Sequence, residues 1–153
     1  MIPYVTRGWF RRGCKPVVKT IYGKERISVF GAISEDELSS QMTEEKCNFQ
    51  TYLQFLNSLM RKFGKILIVI DGAKYHFEKM HVQKFYEENK DRLKVIQLPA
   101  YSPELNPIEQ SWKKVKAWLA TSIWATKEEF EMKIAEGLNR RDFMVKMYEY
   151  YVP

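Results

Sequence analysis

At 153 residues, 45% apolar and 14% aromatic, the chain is long enough for one domain with a real core and too apolar for a disordered segment. A net charge of +6 suits a polyanionic partner without identifying it. No stretch approaches the roughly 18 apolar residues of a membrane span, the first residues lack the apolar centre of a secretory signal, and Cys14 and Cys47, far apart and outside any CxxC pair, read as reduced cysteines of a cytoplasmic protein.

Residues 1–26 carry Arg7, Arg11, Arg12, Lys15, Lys19, Lys24 and Arg26 against one acid, Glu25, with Tyr4, Trp9 and Phe10 interleaved. Basic and aromatic side chains together suit a nucleic-acid surface, although the segment by itself reads equally as solvated chain with a few buried aromatics. Val17 to Ile33 predicts a β-hairpin turning at Gly23-Lys24-Glu25, followed by an exposed acidic turn at Glu35-Asp36-Glu37 and a short strand over Leu38–Thr43. Tyr52, Leu53, Leu56, Leu59, Met60 and Phe63 recur at helical spacing, which predicts a helix from Phe49 to Phe63, stopped by Gly64.

Ile66 to Ile70 is a continuous apolar run, the pattern of a strand buried on both faces. A helix over Phe77–Asn89 and a second buried strand over Leu93–Gln97 complete a βαβ unit, so the two strands should be parallel. After a Pro-rich loop, Asn106 as N-cap and Pro107 as first helical residue open another helix, with Ile108, Trp112, Val115 and Leu119 on its buried stripe. Thr126 to Glu129 reads as a capping box for a helix burying Phe130, Ile134 and Leu138, and Arg141–Tyr151 as a last helical piece. No repeat, low-complexity tract or linker interrupts the single domain, residues 1–153.

Two acids stand out. Asp71 ends a strand, and ligands of parallel α/β sheets bind beyond the carboxyl ends of strands. Asp-Gly is also a common turn pair, so Asp71 alone is a weak signal. Glu109 lies in the first turn of its helix, where the helix dipole favours an acid whatever its function. Lys113 and Lys116 follow at i+4 and i+7 on the same face. A carboxylate at one end of a lysine stripe suits a hard cation such as Mg²⁺ or Mn²⁺, with the lysines on flanking phosphates.

At these residues the chain resembles the DDE transposases of the mariner superfamily and their bacterial and archaeal insertion-sequence relatives. Ile68 to His76, reading IVIDGAKYH, resembles their second-aspartate block. Leu98 to Trp112, reading LPAYSPELNPIEQSW, resembles the block carrying their last acid, and the 37 residues between Asp71 and Glu109 fit the family's spacing. Gly8 to Pro16, reading GWFRRGCKP, resembles the family's Trp-x-x-x-Gly-x-x-Pro stretch. The resemblance implies an α/β, ribonuclease H-like mixed sheet flanked by helices, three acids holding two divalent ions, and DNA cleavage and strand transfer. Asp71 would be the second acid and Glu109 the third, both catalytic and both ligands of Mg²⁺ or Mn²⁺. His76 and Asn106 would support them from behind, and Arg7, Arg11, Arg12, Lys15, Lys113 and Lys116 would contact DNA in a nucleoid-associated protein. His81 has no counterpart and reads as a helix-surface or packing histidine.

The family's first aspartate lies on a central strand upstream of the Trp9 block, and this sequence starts after that point. The expectation is therefore a domain incomplete at its N-terminus, without the first catalytic Asp and impaired in cleavage as an isolated chain. Its sheet should be repaired by a partner chain, by strand exchange as in a homodimer, or by closure of Ile27–Ile33 onto Ile66–Ile70. Two other readings stay open: a non-catalytic DNA-binding or assembly module, and a nuclease rebuilt around Glu35, Asp36 or another acid.

Overall fold

The computed structural model describes residues 9–14, 27–77, 80–100, 102–122 and 124–146. Among the described residues, four strands form two two-stranded sheets. Ser28–Ile33 (β1) and Leu38–Thr43 (β2) are antiparallel, with Val29 opposite Met42 and Gly31 opposite Ser40. Ile66–Ile70 (β3) and Leu93–Gln97 (β4) are parallel, with Ile68 opposite Val95, as the βαβ pattern predicts. β1 thus pairs along one edge with the strand that follows it, the short strand expected over Leu38–Thr43. The acidic segment closes that pair, because Ser34 N–H donates to Glu37 O at 2.9 Å and Ser34 Oγ accepts Glu37 N–H at 3.2 Å. Residues 15–26, the other half of the expected hairpin, lie outside the described residues.

Helix α1, Phe49–Phe63, begins in a reciprocal cap. Asn48 Oδ1 accepts Thr51 N–H at 3.0 Å, and Thr51 Oγ1 accepts Asn48 N–H at 3.1 Å, so two otherwise orphaned donors are satisfied. Gly64 ends the helix at φ 77°, a conformation that glycine adopts without a Cβ penalty. Helix α2 covers His81–Glu88 of the expected Phe77–Asn89, and a 3₁₀ turn over Lys74–His76 precedes it. Helix α3, Ile108–Thr121, starts one residue later than predicted, with Pro107 rather than Asn106 at the cap position and no side-chain cap. Asn106 is extended there, and its backbone carbonyl accepts Glu109 N–H at 3.1 Å. Helix α4, Lys127–Leu138, has the predicted Thr126 cap, with Thr126 Oγ1 accepting Glu129 N–H at 3.1 Å. After it only a 3₁₀ turn, Arg141–Phe143, is formed; the rest of the expected terminal helix from 147 on lies outside the described residues.

The hairpin alternation separates two apolar clusters. Phe30 and Ala32 face α1 and α2, packing with Tyr52, Phe55, Leu56, Leu59 and Val82. Ile27, Val29 and Leu38 join Val115, Leu119, Trp124, Phe130, Ile134 and Leu138 of α3 and α4. Strand β3 does not match the expected two-sided burial. Ile66 and Ile68 pack on the α1 cluster, whereas Leu67 and Val69 on the opposite face are 58% and 44% exposed. In β4, likewise, Leu93 is buried and Ile96 is 44% exposed. Phe63, expected on the buried stripe of α1, is exposed on its last turn, and the unpredicted Phe55 is buried instead.

Candidate active site

The two sheets leave a cavity of about 700 Å³ between them. Its lining includes β1, β3, Asp71, His76, Asn106 and Glu109. Thus the two acids singled out in the sequence, 37 residues apart, border one space. Asp71 stands just past the end of β3 and is about half exposed. Glu109 is carried in the first turn of α3 and is partly buried.

Asp71 is held in place by its own turn. Its Oδ1 accepts Ala73 N–H at 3.0 Å and lies 3.1 Å from His76 Nδ1, which is also 3.2 Å from the Asp71 carbonyl. The hydrogen bond with His76, aided by the Ala73 amide, holds the Asp71 carboxyl below the usual carboxylate range, against the opposing effect of partial burial. Both of these partners engage Oδ1.

His76 is itself confined. It is buried, 4.4 Å in ring centroid distance from Tyr52 and 4.5 Å from Tyr75. Tyr86 Oη donates to the His76 carbonyl at 3.1 Å and shares a hydrogen bond with Tyr52 Oη at 2.9 Å. A buried aromatic layer therefore fixes the imidazole that orients Asp71. His81 stacks on Phe49 at 5.0 Å on the exposed side of α2.

Among the described residues no third acid joins this pair. Glu35 and Glu37 border the same cavity, but Glu37 is engaged by Lys62 and Ser39, and the Lys62 contact lowers its pKa. Among the described residues no three His, Cys, Asp or Glu side chains gather as a metal-holding group. The rebuilt-site reading through Glu35 or Asp36 thus lacks the arrangement it requires.

Of the cationic candidates, Arg11, Arg12, Lys113 and Lys116 are exposed, as are Trp9 and Phe10. Arg7 and Lys15 lie outside the described residues. Sequence reasoning missed Gly31, against which α3 is seated: a Cβ there would meet Trp112 Cζ2 at 2.6 Å and Ile108 Cδ1 at 2.8 Å. A glycine inside a strand pattern was the available signal, since it often marks close approach of another element.

The mixed α/β core, with Asp71 beyond the parallel strand β3 and Glu109 on α3, is a ribonuclease H-like fold, as its structural similarities show. The family model described as "DDE superfamily endonuclease" matches residues 2–131, and the chain belongs to that family. The fold is similar to the Mos1 mariner transposase catalytic domain at TM-score 0.68 and 16% identity, covering 87% of this chain and 71% of that one. It is similar to the Mos1 chain of the strand transfer complex at TM-score 0.70 and 16% identity, covering 97% of this chain. The Mos1 paired end complex with Mn matches at TM-score 0.65 and 14% identity, again over 97% of this chain. The chain spans 46% of the Mos1 chain in both complexes. No curated protein matches. Among the described residues no helix is long and apolar enough to cross a membrane.

Proposed function

We propose that the chain carries part of a transposase-type DNA cleavage and strand-transfer site, with Asp71 and Glu109 as catalytic metal ligands. The observation that carries this reading is the convergence of both acids on one cavity, in a chain of the DDE endonuclease family. The donor set fits one hard divalent ion, Mg²⁺ or Mn²⁺: two carboxylates supply charge and oxygen, and Asp71 keeps Oδ2 free of its local partners. A bound ion of this kind would activate an attacking hydroxyl and stabilise a leaving oxygen at a phosphodiester. His76 holds Asp71 ionised and oriented, a supporting role of the kind that tunes metal affinity. Asn106, whose carbonyl receives Glu109 N–H, fixes the first turn of α3 on which Glu109 stands.

The DNA path in this reading follows the exposed cations, Lys113 and Lys116 beside Glu109, with Arg11 and Arg12, and with Arg7 and Lys15 of the same basic segment. Transposase relatives crystallised as a Mos1 strand transfer complex and a Mos1 paired end complex support DNA as the partner, which is the sole ground for expecting the chain at the nucleoid. One observation favours a second reading, a DNA-binding or assembly module without efficient chemistry: no third acid joins the pair among the described residues. Two acids supply fewer charged ligands than the three the family resemblance implies for two ions, so on this second reading the chain cuts DNA poorly.

Two assays test the proposal. Duplex binding followed by fluorescence anisotropy should weaken steeply between about 50 and 200 mM salt, and replacing Lys113 and Lys116 by alanine should reduce the logarithmic salt slope by about 2. Nicking of supercoiled DNA with Mn²⁺ should be slow and vanish in Glu109→Gln. Binding indifferent to salt would remove the DNA path. Robust cleavage abolished by Asp71→Ala would refute the impairment, and cleavage unaffected by that change would remove Asp71 from the chemistry.

A further inference from the structure

Two tyrosines point inward from neighbouring helices. Tyr52 shares the inner face of α1 with Phe55 and Leu56, and Tyr86 lies one turn on from Val82 along the inner face of α2. Both pack in the same apolar cluster, where Tyr52 is only 2% exposed. A phenol hydroxyl carried into such a cluster needs a hydrogen-bond partner. The two hydroxyls meet, Oη to Oη at 2.9 Å, and Tyr86 Oη reaches the His76 carbonyl at 3.1 Å.

The direction of each bond follows from the atoms. A carbonyl only accepts, and a phenol carries one hydrogen, so Tyr86 donates to His76 and Tyr52 donates to Tyr86. Bonds in such a series polarise and strengthen one another. The carbonyl at its end closes the 3₁₀ turn Lys74–His76, and the last carbonyls of a helical turn have no partner within it. At the ring, Nδ1 lies 3.1 Å from Asp71 Oδ1 and 3.2 Å from the Asp71 carbonyl. That carbonyl also only accepts, so Nδ1 carries the hydrogen and faces Asp71 as a donor. The flanking rings of Tyr52 and Tyr75, at 4.4 Å and 4.5 Å, set the tilt of the imidazole. They leave its distance from Asp71 to the backbone of residue 76, which the Tyr86 hydroxyl ties to α2.

We propose that Tyr86 is a positioning residue for Asp71. Its hydroxyl, supplied with a hydrogen bond by Tyr52, anchors the His76 carbonyl, and the anchored His76 holds the Asp71 carboxylate at one place beside the cavity. Tyr86 touches neither Asp71 nor the cavity lining, so it acts only through His76. Tyr52 acts one step further back, by orienting the Tyr86 hydroxyl. As a statement about metal binding this rests on the reading of Asp71 as a ligand. As a statement about where the carboxylate is held it rests on the hydrogen bonds alone.

The test uses the full 153-residue chain, without metal and with it. Without metal, solvent exchange of the His76 ring N–H is followed by nitrogen–proton NMR. Tyr86→Phe should speed that exchange at least about tenfold, and Tyr52→Phe, which keeps the Tyr86 donor, clearly less. The double variant, Tyr52→Phe with Tyr86→Phe, separates positioning from folding. It leaves no orphaned hydroxyl, so the urea midpoint should return toward the parent's while the fast ring exchange persists. With Mn²⁺, Tyr86→Phe should weaken affinity about three- to tenfold, and no further in a His76→Ala background. Unchanged ring exchange in Tyr86→Phe, a Tyr52→Phe effect as large as that of Tyr86→Phe, slow exchange regained in the double variant, or the same loss of Mn²⁺ affinity with His76 absent overturns the proposal. A parent chain that takes up no Mn²⁺ contradicts the reading of Asp71 as a metal ligand, and the ring exchange then decides the positioning by itself.

Discussion

Replacing Gly31 by alanine should destabilise the protein and displace the start of α3. A Cβ at residue 31 would lie 2.6 Å and 2.9 Å from the Trp112 ring and 2.8 Å from Ile108 Cδ1, separations that side chains do not sustain. In an unconstrained strand the same change would stabilise by about 0.4–1 kcal/mol through the unfolded chain, so the predicted sign is opposite to the default. Overpacking of this kind costs roughly 1–3 kcal/mol, and in a domain of this size about 2 kcal/mol corresponds to a fall of ~4–8 °C in Tm. Urea denaturation and thermal unfolding of Gly31→Ala supply the number. Trp112→Phe, which removes the outer indole ring that makes the contact, should recover part of the loss in the double variant, with a coupling of more than about 0.5 kcal/mol. Gly31→Ala as stable as the parent chain, or strictly additive with Trp112→Phe, would refute the seating of α3 on β1 and with it the placement of Glu109.

The aromatic layer behind His76 gives a pH-dependent prediction. Burial pushes the Tyr75 hydroxyl up to about 12, so the native state favours neutral Tyr75; this contribution is full below pH 10 and is lost as pH rises toward 12. Urea midpoints between pH 8 and about 11.5 should therefore fall less steeply in Tyr75→Phe than in the parent chain, and an unchanged slope would contradict the burial. Ser111, fully buried in α3, has an Oγ without a hydrogen-bond partner among the described residues. Ser111→Ala should stabilise the chain by about 1 kcal/mol, because it removes an unpaired buried hydroxyl and favours the helix. A loss of stability in urea titration would show that the hydroxyl is satisfied.

Much of this arrangement was legible in the amino-acid sequence. Phe130, Ile134 and Leu138 announced one face of α4, and Ile108, Val115 and Leu119 one face of α3, because helical spacing reports burial directly. The parallel pairing of β3 and β4 followed from the helix between two apolar runs. Other features depended on what surrounds the segment. The Ile66–Ile70 run is as apolar as a fully enclosed strand, but Leu67 and Val69 are exposed because no described element covers that face. The short loop around Glu35 and Asp36 joins β1 to β2, whereas the turn expected around Gly23 lies outside the described residues. Asn106 looked like an N-cap, but the fixed φ of Pro107 carries the chain into α3 and leaves the Asn106 carbonyl to meet Glu109 N–H. For the site, the two acids were visible as motifs. The His76 bond that orients Asp71 and the Gly31 contact that seats α3 depend on tertiary approach, which spacing along the chain does not reveal.

The most direct test of the central claim is a Mn²⁺ titration followed by electron paramagnetic resonance of the free ion. The parent chain should take up Mn²⁺, and Asp71→Asn and Glu109→Gln should each weaken binding by more than about tenfold, while Glu37→Gln, whose carboxylate is engaged by Lys62, leaves it unchanged. Parental affinity in either of the first two variants would contradict the assignment of Asp71 and Glu109 as a shared metal site.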